Sequence, residues 1–394
     1  MTSIFWGDGM NEISVEKLGR LTEKLYIKGD RKSELWLGPP GIGKSDVVRQ
    51  LAMRLAEING KKFVEYNDDI AFEILNEPDN YFVLVDLRLT EVEPSDLIGI
   101  PRDLDGAVAY KPLLWARVLN KCAGILFLDE LTNVQRPDVL SISYKLLLDR
   151  KAGFVPFHKD VLVIAAGNTP EHSAIANQLP APSINRVRVF YVKPPRLEDW
   201  KDYMDRTYGD QWDKRVYAFL TKYTKFFLMQ PQDVETLRQF ATPRTWTMLA
   251  TISKELTTDE LEYVAIATVG EEAGAHFTAF CRIKVPDLEQ IVMNPSLFSS
   301  LDEDAKYFVS VELSNKLTEL IRKKDFKTFD KKYYNLMNYL LNNDKEFLVL
   351  SVFMMNYKDR VEFGKWLLMN VKKYQEFIKF FREIAKLKGI LEKE

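Results

Sequence analysis

Glu34 to Leu37, a short apolar stretch, runs straight into Gly38, Pro39, Pro40, Gly41, Ile42, Gly43, Lys44 and Ser45. That run matches G-x-x-x-x-G-K-[ST] at every position. Its glycines let the backbone turn tightly, so that successive N–H groups point inward at phosphate oxygens. Val47, Val48, Leu51, Ala52, Leu55 and Ala56 then recur at helical spacing, and Asn59-Gly60 ends the helix. The N-terminus of that helix faces the same anion. A strand, a phosphate loop and a helix in this order demand an α/β core.

The rest of the first half agrees. Apolar runs at 81–87, 125–128, 161–166 and 187–192 are continuous rather than alternating, which fits strands buried on both faces of a parallel sheet. Helical patterns separate them, as at Leu140 to Asp149, and a further helix is expected over Val15 to Tyr26. The Pro-rich segment Val192 to Arg196 marks a boundary. Beyond it the spacing predicts only helices, at 200–223, 242–256 and 259–280 and again after Val285. The expected organisation is a helical segment over 1–30, a nucleotide-binding core over 31–194, a helical lid over 195–275 and a helical extension over 276–394.

Ile125 to Leu128 ends in Asp129-Glu130. A buried strand delivers both acids to the carboxyl edge of the sheet, where ligands bind in open α/β folds. Lys44 is expected to reach the β- and γ-phosphates, Ser45 and Asp129 to hold Mg²⁺, and Glu130 to orient and deprotonate the attacking water. Asp46 completes the loop segment. The strand at 161–166 ends in Gly167-Asn168-Thr169, and Asn168 is the expected contact to the water or γ-phosphate, with Thr169 at the same tip. Arg186 precedes the fifth strand and is expected to act on a neighbouring subunit's nucleotide; Arg188 is already inside the strand. Thr242-Pro243 caps a helix whose first turn holds Arg244, a candidate reporter of the γ-phosphate.

This order of parts resembles AAA+ ATPases, and within them the MoxR-type branch found in bacteria, archaea and phages. The segments that carry the resemblance are GPPGIGKSD, VDLRLTEVEPSDLIGIP, GILFLDELTN, YKLLLDRKAG, VIAAGNTP, LPAPSINR, FATPRTWTML and VGEEAGAHFTAF, across roughly residues 30–295. The resemblance implies a five-stranded parallel sheet of order 5-1-4-3-2 sandwiched by helices, with an all-α lid and ATP rather than GTP as the nucleotide. It also implies a ring, usually a hexamer, and a partner carrying a von Willebrand factor A domain. A hairpin is expected over 96–114 around Asp105-Gly106, either an insert facing the ring centre or a client, or an ordinary surface hairpin. A second, over 153–160, would carry His158 near its tip.

Composition narrows the partners. The net charge of -2 argues against a surface built to neutralise many phosphates. Basic and aromatic residues interleave from Lys358 to Lys393, the pattern of a single-strand binder. Trp366, Tyr374, Phe377 and Phe381 also fall at helical spacing there, the pattern of a packed face. A nucleic-acid motor and a nucleotide-gated scaffold therefore stand as alternatives to a protein-remodelling motor. Two distant cysteines, Cys122 and Cys281, and no apolar run long enough to span a bilayer predict a cytoplasmic protein.

Overall fold

Parallel strands buried on both faces need partners on each side, and the chain supplies them. The fold is given by a computed structural model, which describes residues 12–169, 185–229 and 238–391, with side chains to 384. It divides into two compact units, Met1–Pro195 and Arg196–Glu394.

The first unit is built on β1 (Ile13–Ser14), β2 (Glu34–Leu37), β3 (Lys62–Glu65), β4 (Tyr81–Arg88), β5 (Ile100–Leu104), β6 (Ala107–Lys111), β7 (Ala123–Asp129), β8 (Lys151–Ala152), β9 (Val155–Pro156), β10 (Val161–Gly167) and β11 (Arg188–Lys193). Seven of these form an all-parallel sheet in the order β1-β11-β2-β10-β7-β4-β3. The five strands expected from the sequence occupy its middle in the expected order, 5-1-4-3-2. The two additional strands lie at the edges. One is only two residues long and the other is half-exposed, so neither carries a buried-strand pattern.

Side chains alternate between two cores. Trp36, Phe82, Ile125, Phe127 and Ile164 face helices α1 (Val15–Ile27) and α2 (Lys44–Ile58). Leu35, Val83, Val85, Leu126 and Val163 pack on the other side with Ala71, Trp115, Leu119 and Leu146 from further helices. Each large side chain so buried contributes about 1.5–3 kcal/mol. Glu34 is a buried acid inside this packing. Thr22 Oγ1 and Trp36 Nε1 donate to its Oε2 at 2.8 and 3.0 Å, which ties α1 to β2. Burial raises its pKa above the usual carboxylate value.

The hairpin expected at 96–114 is β5 paired with β6, closed by Asp105 (φ 54°) and Gly106 (φ 82°) and largely exposed. The second hairpin departs from expectation. It spans 151–156, because Arg150 ends the preceding helix at φ 54° and β8 begins at once. His158 therefore lies beyond the hairpin, where its Nδ1 accepts from the Asp160 N–H at 3.2 Å.

The second unit is helical throughout its described residues. Two helices read as continuous in the sequence are each broken at a glycine: Leu197–Tyr208 from Lys214–Lys222 after Gly209, and Thr258–Val269 from Glu271–Cys281 at Gly270. One core runs from Trp200 to Ile378. Trp366, Tyr374 and Phe377 are buried in it, with Trp366 stacked on Phe326 at 4.6 Å. Among the described residues no helix is long and apolar enough to cross a membrane.

Candidate functional site

All strands of the large sheet run the same way, so their carboxyl ends share one edge. Leu37 registers with Gly167, and Arg88 with Asp129. The phosphate loop, Asn168 and the acidic pair therefore emerge side by side.

The loop is fixed at both ends. The Gly38 N–H donates to Gly167 O at 3.2 Å, and a Cβ on Gly38 would lie 2.3 Å from Val192 O, so only glycine fits. Gly43, at φ 91°, is the N-cap of α2 and brings no side-chain cap to the first turn. Ile42 is buried and anchors the loop, Pro39 is buried beside it, and Pro40, Gly41 and Ser45 are half-exposed. Asp46, exposed in the first turn, suits the positive end of the helix dipole. Lys44 folds back across the loop, donating to Gly38 O and Pro39 O at 2.8 Å each. Its ammonium thus already hangs over the cradle formed by the loop.

Ser45 Oγ donates to Asp129 Oδ2 at 2.8 Å, which joins the loop to the end of β7. The other oxygen, Asp129 Oδ1, accepts the Glu130 N–H at 2.9 Å. Glu130 adopts φ 61°, a left-handed conformation that costs a non-glycine residue on the order of 1 kcal/mol. This turn carries its carboxylate towards Thr90, whose Oγ1 donates to Glu130 Oε2 at 2.8 Å. Nearby Asp86 is solvent-exposed as a residue, yet its carboxyl is pushed up to about 6, first by loss of water and next by the charge of Asp129. A hydroxyl and clustered carboxylates at the mouth of a phosphate cradle are the oxygen donors that Mg²⁺ takes.

The Asn168 N–H donates to Thr132 Oγ1 at 2.8 Å, and its side-chain amide reaches Asn133 Oδ1 at 3.5 Å. Thr90, Thr132 and Asn133 are the site neighbours that sequence reasoning did not single out. Their signal was present, since all three lie in segments that follow strand ends. Arg186 stands elsewhere. It precedes Arg188, which registers with Glu34 at the start of β2. That is the edge opposite the loop, across a strand of four residues, or about 13 Å. Arg186 is exposed and meets Asp149 at 3.4 Å, whereas Arg188 is tied to Asp30 and Glu34. In the second unit, Thr242 caps Pro243–Ile252 through a reciprocal bond with Thr245, and Arg244 lies exposed in the first turn. Residues 179–184 of LPAPSINR lie outside the described residues.

Among solved structures, C. elegans PCH-2 aligns at a TM-score of 0.28 and 16% identity, over 67% of this chain and 66% of its own. The FIGL-1 AAA domain in complex with ADP aligns at 0.32 and 16%, over 76% and 91%. NtrX from Brucella abortus aligns at 0.31 and 17%, over 80% and 63%. The chain thus spans just under two thirds of the length of PCH-2 and of NtrX. No protein-family model and no curated protein matches it. The fold class read from the sequence is observed in its architecture: an α/β core whose central parallel strands run in the order 5-1-4-3-2 between helices, followed by a helical region.

Proposed function

We propose that this protein is an ATPase of AAA+ type that assembles into a ring and couples ATP hydrolysis to remodelling or maturation of a protein client. The observation that carries the reading is the 2.8 Å bond from Ser45 Oγ to Asp129 Oδ2. It joins a phosphate loop to an acidic strand end at one point.

In this reading the N–H groups from Gly38 to Ser45 and the Lys44 ammonium hold the phosphates of ATP. Mg²⁺, held by Ser45 and Asp129, would neutralise charge on those phosphates. Glu130 orients the attacking water and takes its proton, and Asn168 fixes the water from the neighbouring strand tip. Thr90 holds the Glu130 carboxylate to one side. Arg186 lies on the sheet edge opposite its own loop and is solvent-exposed, which supports action on a neighbouring copy as an arginine finger. Arg244, on the helical unit, reports the γ-phosphate.

The MoxR-type resemblance extends the proposal to a hexamer working with a von Willebrand factor A domain protein. The free thiols Cys122 and Cys281 suit the cytoplasm. A nucleic-acid motor has less support, because Trp366, Tyr374 and Phe377 are buried and offer no stacking platform. Glu130 and Asn168 favour turnover over a passive scaffold.

Glu130→Gln tests the reading. The tagged variant, purified from its native cell with ATP and Mg²⁺, should retain ATP and a stoichiometric protein. Recovery of nuclease-sensitive DNA or RNA with no protein partner would overturn the remodelling role.

A further inference from the structure

The second unit contains a cavity of ≈ 340 Å³ far along the chain from the phosphate loop. This lies within the range of about 300–1,000 Å³ typical of small-molecule sites. One wall is the helix Glu303–Arg322, which presents Ser314, Thr318 and Arg322 at a four-residue spacing that puts them on one face. Lys214, Met355 and Asn356 line it from other segments.

The charges around the cavity are unusual. Lys201 and Lys214 have side chains only 2% and 7% exposed, and both pair with the same carboxylate, Asp205, itself 5% exposed. Lys201 takes Oδ2 and Lys214 takes Oδ1, and Trp212 Nε1 also donates to Oδ1 at 3.1 Å. Two buried ammonium groups thus share one buried acid whose acceptors are in use. Buried charges are ordinarily matched. Lys214 has a further acceptor in Asn356 Oδ1 at 3.2 Å and also lies over the Trp212 ring, 3.9 Å from its centroid. Burial pushes its ammonium down to about 8.

A second polar group points the same way. Ser314 is 2% exposed, lines the cavity and has no hydrogen-bond partner among the described residues. Other hydroxyls buried on helices of this unit, Ser310 and Ser351, donate to the carbonyl four residues back. The rest of the wall is held in place. Arg322 bonds Asp359 at 3.1 and 2.6 Å and also pairs with Asp210, whose Oδ1 accepts from Asn356 at 2.9 Å.

We propose that this cavity binds a small molecule through an oxyanion group, a carboxylate or a phosphate, received by Lys214 and Ser314. The anion completes the charge that Asp205 divides between two lysines, and the Ser314 hydroxyl gains an acceptor. Thr318 and Asn356 contact the remainder of the ligand, and Met354 and Met355 also line the cavity.

Calorimetric titration of the full chain with inorganic phosphate, and separately with succinate, tests this. One of the two should bind in the millimolar range or tighter, and which one binds distinguishes the phosphate from the carboxylate. Lys214→Met should weaken that binding about 10- to 100-fold, the effect of losing a charge-assisted hydrogen bond. Phosphate held at the loop around Lys44 survives this change, so the difference between wild type and variant reports the cavity alone. Thr318→Trp, on the half-exposed wall, fills the cavity without touching the buried lysines and should abolish the same binding. The proposal is overturned if neither anion binds wild type, or if folded Lys214→Met binds as wild type does. Where Lys214→Met does not fold, wild-type binding by Thr318→Trp overturns it.

Discussion

Two charge clusters can be compared, one in each unit. At the sheet edge Asp129, Glu130 and Asp86 gather beside Lys44, and the acids predominate. In the helical unit Lys201 and Lys214 crowd Asp205, and the bases predominate. The first cluster is half-exposed and built from strand ends, and its imbalance suits Mg²⁺ and the chemistry of phosphates. The second is buried among helices and suits an anion. The difference lies in what each charge does for stability. A half-exposed acid at a ligand edge is solvated and can be neutralised cheaply, whereas a buried pair is committed to its partner.

That contrast can be broken by substitution. The largest effect is expected from Arg186→Ala, which should lower the steady-state ATPase rate about 10³- to 10⁵-fold while leaving the melting temperature in place. A normal rate would remove the arginine from the catalytic site. Glu130→Gln should cost about 10²- to 10⁴-fold in turnover with ATP still bound, as read by single-turnover hydrolysis and filter binding.

The next effect concerns stability and compares the two acids directly. Asp205→Asn should destabilise the protein by about 3–5 kcal/mol in denaturant titrations, because two buried lysines lose their shared partner. Asp129→Asn should leave stability unchanged or raise it by about 0.5–2 kcal/mol, since functional clusters carry repulsion that folding does not need. Equal losses would erase the distinction drawn between the clusters.

A smaller effect is expected at Thr90. Thr90→Val removes the bond to Glu130 Oε2 and should change turnover about tenfold with little change in ATP affinity.

The smallest is a pH dependence. Lys214 has a folded pKa of about 8, below that of a free lysine. Between about 8 and the usual lysine range the unfolded chain keeps a proton that the folded chain has released. Stability from this group therefore rises with pH across that window and is lowest below it. Lys201, lowered by burial as well, adds in the same direction; Asp205 and Asp210 act on Lys214, and Asp205, Asp202 and Arg360 act on Lys201. Urea midpoints at about pH 7 and about pH 9.5 should rise less in Lys214→Met than in wild type.

How much was legible differs between the units for the same reason. The phosphate loop, Asp129, Glu130 and Asn168 are each read from a strand end, because a parallel sheet brings every carboxyl end to one edge whatever lies between. Thr90 and Thr132 were missed, although they lie within three residues of strand ends. A lone threonine has no pattern of its own, and only the left-handed turn at Glu130 makes Thr90 a partner. The breaks at Gly209 and Gly270 were read through, since the helical spacing continues across them.

By itself the sequence determined the α/β core, its strand order through family resemblance, the phosphate loop and the acids beside it. These depend on local pattern, and local pattern survives without coordinates. The tertiary structure alone decided that Lys201 and Lys214 share Asp205, that Ser314 lines a cavity with Lys214, and that Arg186 and the phosphate loop lie on opposite sheet edges. Lys214 and Asn356 stand far apart along the chain, yet their side chains meet at 3.2 Å. Such contacts arise when helices bury their apolar faces against one another, and the polar groups carried at the rims are brought together by that packing.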